Sequence, residues 1–144
     1  MAQYSITIPG EPVGKARPRV TGKGFAYTPK TTGNYETLIK ELFFHKHGSL
    51  MLKGNIHATL KAYFGLNKDD YGKTGLNKQG RQKLGGALRP TKKPDIDNIA
   101  KIVLDGLNGV AYMDDSQVVA LSVEKRYAQT PCVEIVPEAL DGTN

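Results

Sequence analysis

Apolar residues in this chain recur at two different periods, and the order in which those periods alternate restricts the fold more than any other feature. Tyr4, Ile6 and Ile8 alternate with Gln3, Ser5 and Thr7, the pattern of a half-buried strand that Pro9-Gly10 ends. Tyr35, Leu38, Ile39, Leu42 and Phe43 fall at i, i+3, i+4, i+7 and i+8, which predicts an amphipathic helix with Thr32 or Asn34 as N-cap and Gly48 just past its end. Residues 55–64 alternate again, as a second strand. Ile99, Ile102, Val103 and Leu107 predict a second helix from about Asp97 to Leu107, stopped by Asn108-Gly109. Val118 to Tyr127 and Cys132 to Val136 then read as a hairpin with Gln129 and Pro131 in its turn. The order strand, helix, strand, helix, strand, strand predicts an α+β fold, a small mixed sheet with two main helices packed on one face. With 144 residues, no repeat and no linker, residues 1–144 are expected to form one domain.

Composition removes several classes of protein. Cys132 is the single cysteine, so an internal disulfide and a cysteine-based zinc framework are both excluded. No window approaches 18 consecutive apolar residues, and the N-terminus lacks a basic head followed by an apolar stretch, so a soluble protein of the reducing cytoplasm is expected, with no membrane partner.

The net charge of +6 favours a polyanionic partner, and its distribution says more. Residues 65–93 carry eight basic side chains against Asp69 and Asp70, a local +6. Residues 10–30 carry Lys15, Arg17, Arg19, Lys23 and Lys30 against Glu11, a local +4. Between 94 and 115 stand Asp95, Asp97, Asp105, Asp114 and Asp115 with one cation, Lys101, a local −4. The 65–93 segment contains six glycines and no sustained apolar period, so it is expected to be a flexible basic loop or a pair of irregular hairpin arms.

The acidic segment suggests chemistry. In an extended stretch Asp95 and Asp97 present carboxylates to one side while Ile96 turns into the core. Asp97 also stands where a helix N-cap is wanted, Lys101 follows one turn later, and Asp114-Asp115 occupies a turn before the third long strand. Clustered carboxylates repel one another unless a cation neutralises them, and a hard ion such as magnesium or manganese takes oxygen ligands while keeping waters for chemistry. A metal held by Asp95, Asp97 and Asp115 can polarise a phosphoryl oxygen and activate a water, with Lys101 neutralising the charge that develops. The basic segments would grip a phosphate backbone, through Lys15, Arg17 and Arg19 in the first and Arg81, Lys83, Arg89, Lys92 and Lys93 in the second. The plainer reading is that the aspartates cap a helix and order a turn, which leaves a non-catalytic DNA-binding or junction-binding module. Other motifs fail on their residues. Gly72-Lys73-Thr74 has Asn67 where a phosphate loop needs glycine, and a calcium loop starting at Asp95 meets Ile99, Ala100 and Gly106 at positions that need ligands or glycine.

The run Lys93-Pro-Asp95-Ile-Asp97-Asn98-Ile-Ala-Lys101, then Asp105-Gly-Leu-Asn108, then Asp114-Asp115-Ser-Gln117-Val118, resembles the RusA family of Holliday-junction resolvases of bacteria and their prophages. Pro-Val-Gly-Lys15-Ala-Arg17-Pro-Arg19 and Tyr27-Thr-Pro29 are similar to that family too, so the resemblance covers nearly the whole chain apart from residues 65–91. It implies a homodimeric, magnesium-dependent endodeoxyribonuclease that nicks four-way DNA junctions symmetrically in DNA recombination and repair. It also implies a bacterial or phage-encoded cytoplasmic protein. By this resemblance Asp95, Asp97 and Asp115 are catalytic metal ligands, Lys101 is the catalytic lysine, and Asp114 is an adjacent helper. Paired cuts on a two-fold substrate suit a two-fold protein.

Overall fold

The computed structural model describes residues 4–15, 19–20, 26–27 and 30–140. In chain order these form β1 (Ile6–Pro9), β2 (Arg19–Val20), β3 (Ala26–Tyr27), α1 (Lys30–His47), β4 (Ile56–Phe64), β5 (Tyr71–Gly72), β6 (Gly75–Leu76), α2 (Lys78–Leu84), α3 (Ile96–Leu107), β7 (Val118–Tyr127) and β8 (Cys132–Ala139). The fold is α+β around a mixed sheet. To the elements expected from periodicity it adds a third helix and two small two-stranded sheets, β2–β3 and β5–β6.

The main sheet runs β1-β8-β4-β7 in space. β8 is antiparallel to both β1 and β4, and β4 is parallel to β7. The expected hairpin is therefore not formed: β7 and β8 are consecutive in sequence, but β4 lies between them. Their connection crosses the end of β4, where the Ala128 N–H donates to Phe64 O at 2.9 Å. The reason lies in the apolar content of the strands. Ile56, Ala58, Leu60, Ala62 and Phe64 of β4 are all essentially buried, so this strand gains from neighbours on both edges. β7 carries Glu124, Lys125 and Arg126 and leaves Val119 and Leu121 exposed, a composition suited to an edge.

The core lies on one face of this sheet. Ile6 and Ile8, the alternate residues of β4, and Val133 and Ile135 are buried beneath α1 and α3. The other face carries His57, Thr59, Lys61 and Tyr63, all half-buried. There His57 ties three strands together, with Nδ1 3.0 Å from Glu138 Oε1 and Nε2 2.9 Å from Ser122 Oγ.

α1 buries Tyr35, Ile39 and Phe43, one residue per turn, as its period predicts. It starts at Lys30, so Thr32 and Asn34 lie inside the helix instead of capping it, and Thr32 is 1% exposed. α3 buries Ile99, Ala100, Ile102, Val103, Gly106 and Leu107. The two helices cross closely at Gly106, where a Cβ would lie 2.9–3.0 Å from three atoms of the Ile39 side chain. That close approach accounts for a glycine in a helix interior, where it otherwise costs about 1 kcal/mol against alanine.

The 65–93 segment is not a structureless loop. A short 3-10 turn (Lys68–Asp70), the β5–β6 hairpin and α2 follow one another within it, organised around a buried carboxylate, Asp70. Among the described residues no helix is long and apolar enough to cross a membrane.

Candidate active site

α3 presents two faces. Its apolar face builds the core, and the opposite face carries Asp97, Lys101 and Asp105 at i, i+4 and i+8, one above another along the helix. Asp97 and Lys101 are exposed, and Asp105 is half-buried.

At the start of α3 the N-cap is Asp95, extended at φ −68° and ψ 155°, where Asp97 had been expected. Asp95 makes no side-chain capping bond, so its carboxylate is not consumed by the helix. Asp97 lies in the first helical turn, where a negative charge is favoured by the helix dipole. Ile96 does not turn into the core: it opens the helix and is 44% exposed, because the apolar stripe begins only at Ile99.

At the far end of α3 stands a second acidic group. Asp115 lies beside Asp105. Partial burial and the neighbouring carboxyls of Asp105 and Asp114 push the Asp115 carboxyl above its ordinary range. Asp114 is the N-cap of a 3-10 turn (Asp115–Gln117), and its carboxyl is held low by accepting from the Ser116 side chain and backbone. Gln117 fixes this turn: its Oε1 accepts from Met113 N at 3.0 Å, and its Nε2 donates to Leu52 O at 2.9 Å. Buried Tyr112 supports it from below, donating to Leu104 O at 2.7 Å.

Asp97 and Asp105 are eight helical residues apart, about 12 Å along the axis. The acidic residues are accordingly two groups, Asp95 with Asp97 and Asp105 with Asp115, with Lys101 midway. Among the described residues no set of three or more His, Cys, Asp or Glu side chains is close enough to hold a metal ion, so one chain does not bring Asp115 to Asp95 and Asp97. What the start of α3 does offer is two exposed carboxylates two residues apart. That donor set suits magnesium, which is commonly bound by one or two carboxylates together with waters and substrate phosphate.

Lys15, together with Glu36 and Lys40, two residues not foreseen from the sequence, ties the second group to the rest. Lys15 Nζ lies 2.6 Å from Glu36 Oε2 of α1 and 3.2 Å from Asp105 Oδ2, and the Lys15 N–H donates to Asn98 O at 2.9 Å. Partial burial works against the Lys15 charge, but these two carboxylates outweigh it and raise its pKa. Lys40 Nζ donates to the carbonyls of Asp105, Gly106 and Asn108 at 3.0–3.1 Å, closing the C-terminus of α3. Glu36 and Lys40 share the polar side of α1 at i, i+4, the one signal by which the sequence marks them.

The basic residues divide as well. Arg81, Arg89, Lys92 and Lys93 are exposed. Lys15 is engaged with Glu36 and Asp105, and Lys83 is paired at 3.0 Å with buried Asp70, so the charge of each already has a partner within the chain. Arg17 and the Arg19 side chain lie outside the described residues.

This helix face has acid at both ends and a lysine between them, and the exposed Arg89, Lys92 and Lys93 precede its head, a set of groups able to hold a divalent cation and phosphate charge. The family Endodeoxyribonuclease RusA matches residues 9–136, from the end of β1 into β8. The chain belongs to this family of DNA-cleaving enzymes. It is also similar to a Bacillus subtilis (strain 168) protein described as uncharacterized protein YqaN, with 35% identity over 135 residues that cover 91% of this chain and 92% of the relative.

Proposed function

We propose that this protein is a magnesium-dependent endonuclease that resolves four-way DNA junctions as a homodimer, by paired symmetric nicks, in recombination and repair. The observation that carries this reading is the line Asp97, Lys101, Asp105 on α3, its first two residues exposed, with Asp95 at its head making no side-chain capping bond, in a chain of the RusA family. Asp95 and Asp97 would hold a magnesium or manganese ion, which supplies Lewis-acid polarisation of a phosphoryl oxygen. Lys101, one turn below Asp97, neutralises charge developing on the scissile phosphate. Asp115 acts as a separate carboxylate, kept with Asp105 by the Gln117-braced turn. Arg89, Lys92 and Lys93 lead directly into Asp95 and hold the phosphate backbone beside it.

The test is a labelled synthetic four-way junction incubated with magnesium and, separately, with a chelator. Symmetric nicks in two opposing strands with magnesium and none in chelator support the reading. Cleavage that persists in chelator contradicts the metal requirement, and binding without cleavage in both conditions favours a junction-binding protein.

A further inference from the structure

The part of the 65–93 segment from Leu66 to Leu88 has no role in the site described above, yet it is built around an interior ion pair. Asp70 is fully buried. Its Oδ2 accepts from Asn67 N at 2.7 Å and Lys83 Nζ at 3.0 Å, and its Oδ1 accepts from Gln79 Nε2 at 2.8 Å. The Asp70 carbonyl accepts from Asn77 N at 3.0 Å and packs so closely on Gly80 that no side chain fits there, a Cβ falling 2.3 Å from that oxygen. One carboxylate thus joins the 3-10 turn to α2. The same Lys83 fixes this assembly to the sheet, with Nζ 4.8 Å from the centre of the Tyr127 ring. Arg89 Nη1 donates to Lys125 O at 3.2 Å, and Lys125 Nζ donates to Lys92 O at 2.6 Å, clamping the segment to β7 a second time.

With Lys83 and Asp70 neutralising each other, the segment retains seven cations against Asp69. Lys68, Lys73, Lys78 and Arg81 are all exposed, and among the described residues none of them is in an ion pair. Cations on a scaffold that is already ordered lose less entropy on meeting phosphates than cations on a mobile loop. The same stretch runs through Lys92 and Lys93 into Asp95, so the chain links these cations directly to the start of α3.

We propose that residues 66–93 are a preformed platform for the phosphate backbone of a DNA duplex arm, with Lys73, Lys78 and Arg81 as contacts and Asp70 as the positioning residue that pins it. This rests on the nuclease reading and extends its phosphate contacts from Arg89, Lys92 and Lys93 back onto α2 and the β5–β6 hairpin.

The experiment uses the full chain and a labelled four-way junction, with affinity measured across a salt series and with kcat and KM for cleavage. Replacing Lys73, Lys78 and Arg81 together by glutamine should weaken binding at least about tenfold and lower the magnitude of the log–log salt slope by roughly 2–3. Asp70→Asn should raise KM about five- to tenfold with kcat within about twofold, and should speed amide exchange in residues 66–88 only. Adding Lys83→Met to Asp70→Asn, which removes both charges, should restore much of that protection and affinity. A wild-type slope in the triple variant overturns the platform. Loss of exchange protection throughout the sheet in Asp70→Asn, or a double variant as weak as the single, overturns the pin. Failure of the nuclease reading itself looks different, because the wild-type protein then does not cut the junction with magnesium, whether or not it binds it.

Discussion

Lys15 Nζ stands 3.2 Å from Asp105 Oδ2, while the backbone of the same lysine is bonded to Asn98 two helical turns earlier on α3. The side chain therefore lies along the acidic face of the helix and reaches its second carboxylate group, where it also meets Glu36 at 2.6 Å. A residue that reads as a DNA-gripping cation serves within the chain as a strut between the N-terminal segment, α1 and α3.

Lys15→Met removes that strut and leaves Glu36 and Asp105 without their shared cation. The expected cost is about 1–2 kcal/mol, short of the roughly 3–5 kcal/mol for breaking a fully buried pair, because all three side chains keep some solvent contact. Urea unfolding measures it; an unchanged midpoint would show that the strut carries no load.

Asp115→Asn should stabilise the protein in metal-free buffer. The Asp115 carboxyl is raised in the folded state by burial and by Asp105 and Asp114, so its ionised form works against folding. That penalty is full above the raised folded value and absent below the unfolded value of about 4. The variant's advantage should be about 2–4 °C in Tm at pH 7, the scale of about 1 kcal/mol in a chain of this size, and should fade by about pH 4. Thermal unfolding across pH reads this directly, and a variant less stable at pH 7 would refute it.

Gly106→Ala sets helix propensity against packing. Alanine gains about 1 kcal/mol in an open helix, but here its methyl would press on the Ile39 side chain at 2.9–3.0 Å. Overpacking of this kind costs about 1–3 kcal/mol, so a net loss of roughly 1 kcal/mol is expected in denaturant unfolding. A gain in stability would mean that α1 can move away freely.

The fold of residues 66–88 should loosen only in acid. The Asn67 N–H, and then Lys83 and Gln79, hold the Asp70 carboxyl below its ordinary value despite its burial. A carboxylate lowered in the folded state contributes stability that is present above the unfolded value and lost as pH falls through the folded one. Amide protection of this segment should therefore hold at pH 5 and above, and fall away below about pH 4. Loss of protection between pH 7 and 5 would contradict this.

How far the sequence anticipates the structure depends on how local each cause is. The stripe Tyr35, Ile39, Phe43 and the alternation of residues 55–64 are local periodicities, and both elements form where the pattern places them. The β7–β8 pairing is misread because turn residues between two consecutive strands do not reveal that a third, more apolar strand is inserted between them. The order within 65–93 is hidden for a related reason: its core is one carboxylate, Asp70, and charge counting treats Asp70 and Lys83 as two surface residues. Within the site, Asp97, Lys101 and Asp105 follow from helical spacing, and that same spacing keeps Asp97 about 12 Å along the axis from Asp105, the residue beside which Asp115 lies. Glu36 and Lys40 are found only when α1 is laid against α3.

The claim that the exposed head of α3 is the cutting centre is tested most directly by Asp97→Asn, measured at saturating four-way junction under single-turnover conditions with magnesium. Asp97 is exposed and bears no part of the core, so the substitution leaves the fold intact. The account predicts a cleavage rate at least about 100-fold below wild type, the scale on which losing one transition-state stabilising group is felt, with junction affinity within about threefold. Cleavage by Asp97→Asn at the wild-type rate would contradict it.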